Sequence, residues 1–129
     1  MINGVHLLLY SKDPEADRKF FRDVLQLKAI DVGGGWLIFA LPPTEAGIHP
    51  GETSSMQTHA DHQLLGAVLY LMCDDLDSTI KSLQGKGVDC TEIAEAEWGK
   101  KTTLKLPSGG EIGLYQPFHS SPMQLLRAG

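Results

Sequence analysis

Cysteine is scarce in this chain. Cys73 and Cys90 are the only two in 129 residues and have no Cys-x-x-Cys spacing, which argues against a disulfide framework and for buried free thiols. Long apolar runs are missing as well. Nothing approaches the ~20 residues that a bilayer-spanning helix needs, and no basic segment precedes an apolar one at the N-terminus. A cytoplasmic protein with no membrane partner is the expectation. Positive charge is also short, 11 Lys and Arg against 16 Asp and Glu, for a net charge of −5. The cations are scattered, so nucleic acid is a poor partner too. What remains is an apolar fraction of 42%, enough for a hydrophobic core in a single domain spanning 1–129.

The most organised stretch is Gly4 to Leu27, GVHLLLYSKDPEADRKFFRDVLQL. Val5 to Tyr10 is short, leucine-rich and closed by Ser-Lys-Asp-Pro, which predicts a buried strand carrying one histidine, His6. Asp13 predicts a helix cap, Pro14 suits the first helical position, and Glu15 suits the positive end of the helix dipole. Ala16, Phe20, Phe21, Val24 and Leu25 recur at helical spacing and define a core face, with Asp17, Arg18, Lys19, Arg22 and Asp23 opposite. The outline returns later: an apolar strand from Val68 to Met72, a cap at Asp74 or Asp75, and a stripe of Leu76, Ile80 and Leu83 stopped by Gly85 and Gly87. Asp13 and Asp75 stand 62 positions apart (75 − 13). The chain reads as a duplicated unit, with modules at 1–50 and 66–117, a linker at 51–65 and a tail at 118–129.

Within the first module, Lys28 to Val32 and Trp36 to Leu41 read as strands around Gly33-Gly34-Gly35. Three glycines invite a phosphate-loop reading, but no Lys-Ser/Thr follows and no helix begins there. Glu45 to His49 is a further short strand, after Pro42-Pro43 and before Pro50-Gly51. The linker is polar, with Ser54, Ser55, Gln57, Thr58, His59, Asp61 and His62, and has neither helical nor strand period. His59, His62 and Asp61 could share a metal if helical; a solvated loop is the plainer expectation. In the second module Val88 to Ile93, Trp98 to Leu106 and Glu111 to Gln116 read as strands, with Thr102, Leu104 and Leu106 alternating against Thr103 and Lys105.

Strand, Asp cap, a helix with a Phe-Phe pair and then Asp-Val-Leu-x-Leu resembles the opening of the vicinal oxygen chelate superfamily, which holds glyoxalase I, extradiol dioxygenases and bleomycin and fosfomycin resistance proteins. Trp36 to Pro50, Tyr70 to Asp75 and Leu106 to Pro117 also look like family segments. The pattern by itself gives an α+β chain of βαβββ units. The resemblance implies more: two βαβββ modules forming an eight-stranded, curved, barrel-like sheet around a shared cavity, and a homodimer of the kind that family members of this size usually form, in keeping with the frequency of two-fold assemblies.

Metal-using members take one ligand from the first strand and one from the last strand of each module, leaving positions open for two substrate oxygens. By resemblance the first ligand position falls on His6 and the second on His49. The third falls on Ala67 or Val68 and the fourth on Gly113, none of which can bind a metal. A resident Zn, Ni, Mn or Fe would therefore need a displaced carboxylate, Glu111 or Glu45, which share strand faces with Gly113 and His49 respectively, or His59 or His62 folded over the cavity. Two imidazoles alone hold a divalent ion weakly. His6 is equally explained as a neutral imidazole inside the barrel and His49 as an exposed strand end, and a cavity histidine could serve as a general base without metal. His119, in the tail, reads as incidental.

The aromatic candidates for lining a ligand cavity are Tyr10, Trp36, Phe39, Tyr70, Trp98 and Tyr115. Strand alternation favours Tyr10 beside His6, Tyr70 and Met72 together, and Tyr115 beside Gly113. Two functions follow from the resemblance. One is a small-molecule binder of the bleomycin-resistance kind with an incomplete metal site. The other is a metal-dependent lyase, isomerase or dioxygenase using His6, His49 and Glu111. A filled cavity in a plain assembly module is a third.

Overall fold

The computed structural model describes residues 6–51 and 55–127. Their contacts divide them into two compact units, Met1–Ala40 with Lys105–Glu111, and Leu41–Leu104 with Ile112–Gly129.

In the first unit, helix α1 spans Pro14–Asp23, and Asp13 caps it by accepting from the Ala16 N–H at 3.2 Å. The short strands β1 (Ala29–Asp31) and β2 (Leu37–Phe39) pair antiparallel with Ile30 opposite Ile38. The turn between them needs its glycines. Gly33, Gly34 and Gly35 all have positive φ, and the Asp31 carboxylate accepts from the Gly33 and Gly35 amides at 2.8 and 3.3 Å. Phe21 is the buried residue of α1's apolar face, and its ring lies 5.6 Å from that of Phe39. Asp17, expected on the polar face, is buried instead. Its carboxylate accepts from the Ser11 hydroxyl at 2.6 Å and from the Ser108 hydroxyl and amide at 2.7 and 3.1 Å. Three donors make its burial tolerable and tie α1 to the 105–111 turn.

The second unit holds a hairpin and a four-stranded sheet. Strands β3 (Met56–His59) and β4 (His62–Leu65) pair antiparallel across Ala60-Asp61, both of which have positive φ. This is a two-residue, mirror-image turn. The sheet has the order β5-β8-β7-β6, from β5 (Tyr70–Met72), β6 (Ala94–Ala96), β7 (Gly99–Lys105) and β8 (Glu111–Pro117), with β5 parallel to β8. Helix α2 (Leu76–Gly85) follows β5, and Asp75 caps it by accepting from Ser78 N–H at 3.1 Å. Leu76, Leu83, Val88, Leu104, Ile112 and Leu114 form the core.

Among the described residues there are eight strands, but they lie in three separate sheets and none closes on itself. The resemblance-based barrel differs from this in specific places. The expected strands at residues 6–10 and 45–49 are not regular strand among the described residues; Val5, the first residue expected in the former, lies outside them. The linker contributes β3 and β4, where a structureless loop was expected; Ser54 of that linker is likewise outside them. Of the expected strand at 88–93 only an isolated bridge from Cys90 to Leu104 forms, and the regular strand starts at Ala94. Both thiols are free, and both are half-buried rather than buried.

Candidate functional site

Alternation along β7 and β8 sorts their side chains onto two faces. Lys100 reaches Asp77 of α2 at 2.8 Å, and the Gln116 side chain accepts from the Leu76 N–H at 2.8 Å, so the even-numbered positions face the helix. Buried Thr102, Leu104, Ile112 and Leu114 share that parity. The odd-numbered positions, Gly99, Lys101, Gly113 and Tyr115, therefore point to the face opposite α2.

That face is aromatic, and glycine makes it so. A Cβ on Gly113 would fall 2.1 Å from the Tyr70 ring, and one on Gly99 would fall 2.6 Å from the ring of Tyr115. Each tyrosine thus lies flat over a glycine of the neighbouring strand. The Tyr70 and Tyr115 rings meet edge to face at 6.2 Å, and Trp98 lies 5.7 Å from Tyr115. The Tyr115 hydroxyl donates to the Trp98 carbonyl at 3.0 Å, which fixes the cluster's far end. Burial, and secondarily the charge of Glu45, push the Tyr115 phenol up from its ordinary pKa. Lys101 donates to the Tyr70 hydroxyl at 3.3 Å, with its ammonium 5.6 Å from the ring centres of both Tyr70 and Trp98.

At the Tyr115 end, His119 stacks at 5.7 Å, and its Nε2 lies 3.7 Å from Glu45, which also accepts from the Ser121 hydroxyl at 2.6 Å. Read from the sequence His119 was incidental, because Glu45, the carboxylate it meets here, lies 74 positions away. Both Tyr70 and Trp98 stay partly open to solvent, at 37% and 48%.

Of the residues singled out from the sequence, Tyr70, Trp98 and Tyr115 come together on this face. Met72 shares the strand face of Tyr70 and stands in register with Tyr115. His49 is exposed, with Nδ1 2.8 Å from the carbonyl oxygen of the adjacent Pro50. His6, Tyr10, Trp36 and Glu111 belong to the first unit and are exposed. There Trp36 takes the Arg18 guanidinium over its ring at 4.6 Å. His59 and His62, whose sharing of a metal was conditional on a helix, are instead directly opposed across the β3–β4 hairpin.

A resident metal is poorly matched by these residues. The Gly113 position, where the resemblance asks for a ligand, is roofed by the Tyr70 ring. Among the described residues no three His, Cys, Asp or Glu side chains converge as a set that could hold an ion. No helix among those residues is long and apolar enough to cross a membrane.

Comparison with known proteins agrees with the architecture. Residues 5–112 match the model of the Glyoxalase/Bleomycin resistance protein/Dioxygenase superfamily. The chain belongs to that superfamily. Among solved structures it is similar to TnmS3, an antibiotic binding protein from Streptomyces sp. CB03234, at 23% identity and a TM-score of 0.56, covering 91% of this chain and 99% of that one. It is similar to a superfamily member from Sphaerobacter thermophilus DSM 20745 at 21% identity and a TM-score of 0.56, covering 89% and 98%. A lactoylglutathione lyase from Agrobacterium tumefaciens has 19% identity and a TM-score of 0.54, covering 84% and 88%. No curated protein matches the sequence.

Proposed function

We propose that this chain is a small-molecule-binding member of the superfamily which works without a resident metal and takes a planar aromatic or otherwise hydrophobic ligand against the face of the four-stranded sheet opposite α2. The observation that carries this reading is the Tyr70 ring lying over Gly113, because it puts an apolar surface where a coordinating carboxylate would stand in a metal-using relative. Tyr70, Trp98 and Tyr115 supply the stacking surface, and the Tyr70 hydroxyl and Lys101 supply the few polar groups that orient a ligand. His6, His49 and Glu111 have no part in this reading.

We further propose a homodimer. In the first unit the cross-strand pair Ile30 and Ile38 is 66% and 36% exposed, and in the second Val68 is 83% exposed. A two-stranded ribbon with an open apolar face is marginal alone, and a second copy is the cover that two-fold symmetry makes readily available.

Titration with the neutral probe 2-naphthamide tests the site. Binding that weakens about tenfold in Tyr70→Ala or Trp98→Ala is the expected result, the size of one lost aromatic stacking partner. Elemental analysis of mildly purified protein should return less than stoichiometric metal. One tightly held Zn, Ni, Mn or Fe per chain overturns the reading.

A further inference from the structure

The two adjacent lysines of β7 have opposite surroundings. Lys100 faces α2 and is neutralised by Asp77 at 2.8 Å, with Glu95 also raising its pKa. Lys101 points to the other face and makes no ion pair among the described residues. Its ammonium instead lies 5.6 Å from the ring centres of Tyr70 and Trp98 and donates to the Tyr70 hydroxyl. Aromatic faces attract a cation without neutralising it. Lys101 is therefore a positioned positive charge that no carboxylate among the described residues pairs with, at the edge of a flat apolar surface.

We infer that Lys101 is the specificity-determining residue of the site and selects planar aromatic ligands that carry an anionic group. The inference rests on the proposed binding function and narrows its ligand class. A ring lying along the tyrosines brings a carboxylate or phenolate at its edge to the Lys101 ammonium, where a charge-assisted hydrogen bond forms in a partly water-excluded place. A cationic ligand is disfavoured, because Lys101 already takes the position over the rings. Tyr70 then has two roles, stacking through its ring and steadying Lys101 through its hydroxyl.

The test uses the full chain and two probes of the same shape, 2-naphthoate and 2-naphthamide, titrated by calorimetry at low salt. The anion is expected to bind about tenfold tighter than the amide, the size of one charged hydrogen bond, and that preference should shrink as salt is added. Lys101→Gln should bring the ratio of anion to amide affinity, both measured in that variant, close to one. Lys101→Arg and Lys100→Gln should both keep the preference. Equal affinities in the unaltered protein, or an unchanged ratio in Lys101→Gln, overturn the role of Lys101 and leave the aromatic site standing. Failure of both probes to bind overturns the two proposals together.

Discussion

The Tyr70 ring and the α-carbon of Gly113 occupy facing positions on parallel neighbours β5 and β8, so closely that a single added methyl group on Gly113 would meet the ring at 2.1 Å. Gly113→Ala should therefore force Tyr70 aside. A loss of about 1–3 kcal/mol in urea unfolding is expected, as for other overpacked sites. In a Tyr70→Ala background the same change should cost little, giving a coupling of at least about 1 kcal/mol in the double-mutant cycle. Simple additivity would show that the contact is not the constraint.

Asp17 is a second strong constraint, local to the first unit. Asp17→Ala removes one acceptor from three donors, of which the Ser108 amide and hydroxyl come from a segment 91 positions away. A destabilisation of about 2–3 kcal/mol is expected from the stranded partners. Ser108→Ala, which deletes one hydroxyl donor and leaves the amide, should cost about 1 kcal/mol. Equal effects of the two would show that the carboxylate does not organise the cluster.

Both helices were legible in the sequence because their signals are local. Asp13 with Pro14 and Asp75 with the leucine stripe need no distant partner to act as caps. The alternation of Thr102, Leu104 and Leu106 was equally local, and all three are buried. The burial of Asp17 was not legible, since its position on the charged side of α1 says nothing of two serines remote in sequence or across the turn. The β3–β4 hairpin escaped because Ala60-Asp61 is a poor advertisement for a two-residue turn that usually recruits Asn-Gly. The aromatic site was half legible. Tyr70 and Tyr115 could be assigned to strand faces by parity, whereas the cation supplied by Lys101 depends on which side of the sheet α2 covers.

The pH response should come from groups whose pKa values are shifted in opposite directions. Burial raises the Cys73 and Cys90 thiols above their ordinary value of 9.0. A raised folded-state pKa gives stability that is fully present below the unfolded value and is lost as pH rises through the folded one, so unfolding should become easier on the alkaline side of about 9. Alkylation by iodoacetamide at pH 8 should correspondingly be slower than for a free cysteine in an unfolded peptide. Asp77 behaves inversely. Lys100 lowers its pKa from 3.8 by hydrogen bonding and then by charge, so its contribution is present above that value and fades as pH falls further. Asp77→Asn should flatten the acid limb of a stability profile and, because Asp77 also raises the Lys100 pKa, lessen the loss of stability above the ordinary lysine value of 10.5.

The exposed pair Ile30 and Ile38 tests the assembly separately from the site. Directly opposite one another on β1 and β2, they present one small apolar face of the first unit. If a second copy covers it, sedimentation of the unaltered chain should give twice 14.0 kDa, and Ile30→Lys should shift the population toward monomer by burying an unpaired charge at the contact. Replacing the exposed Ile30 in a chain that is already monomeric would instead change stability by no more than about 0.5 kcal/mol and leave the sedimenting mass alone. The two results separate an interface from a surface that is merely apolar, because only an interface makes mass depend on this residue.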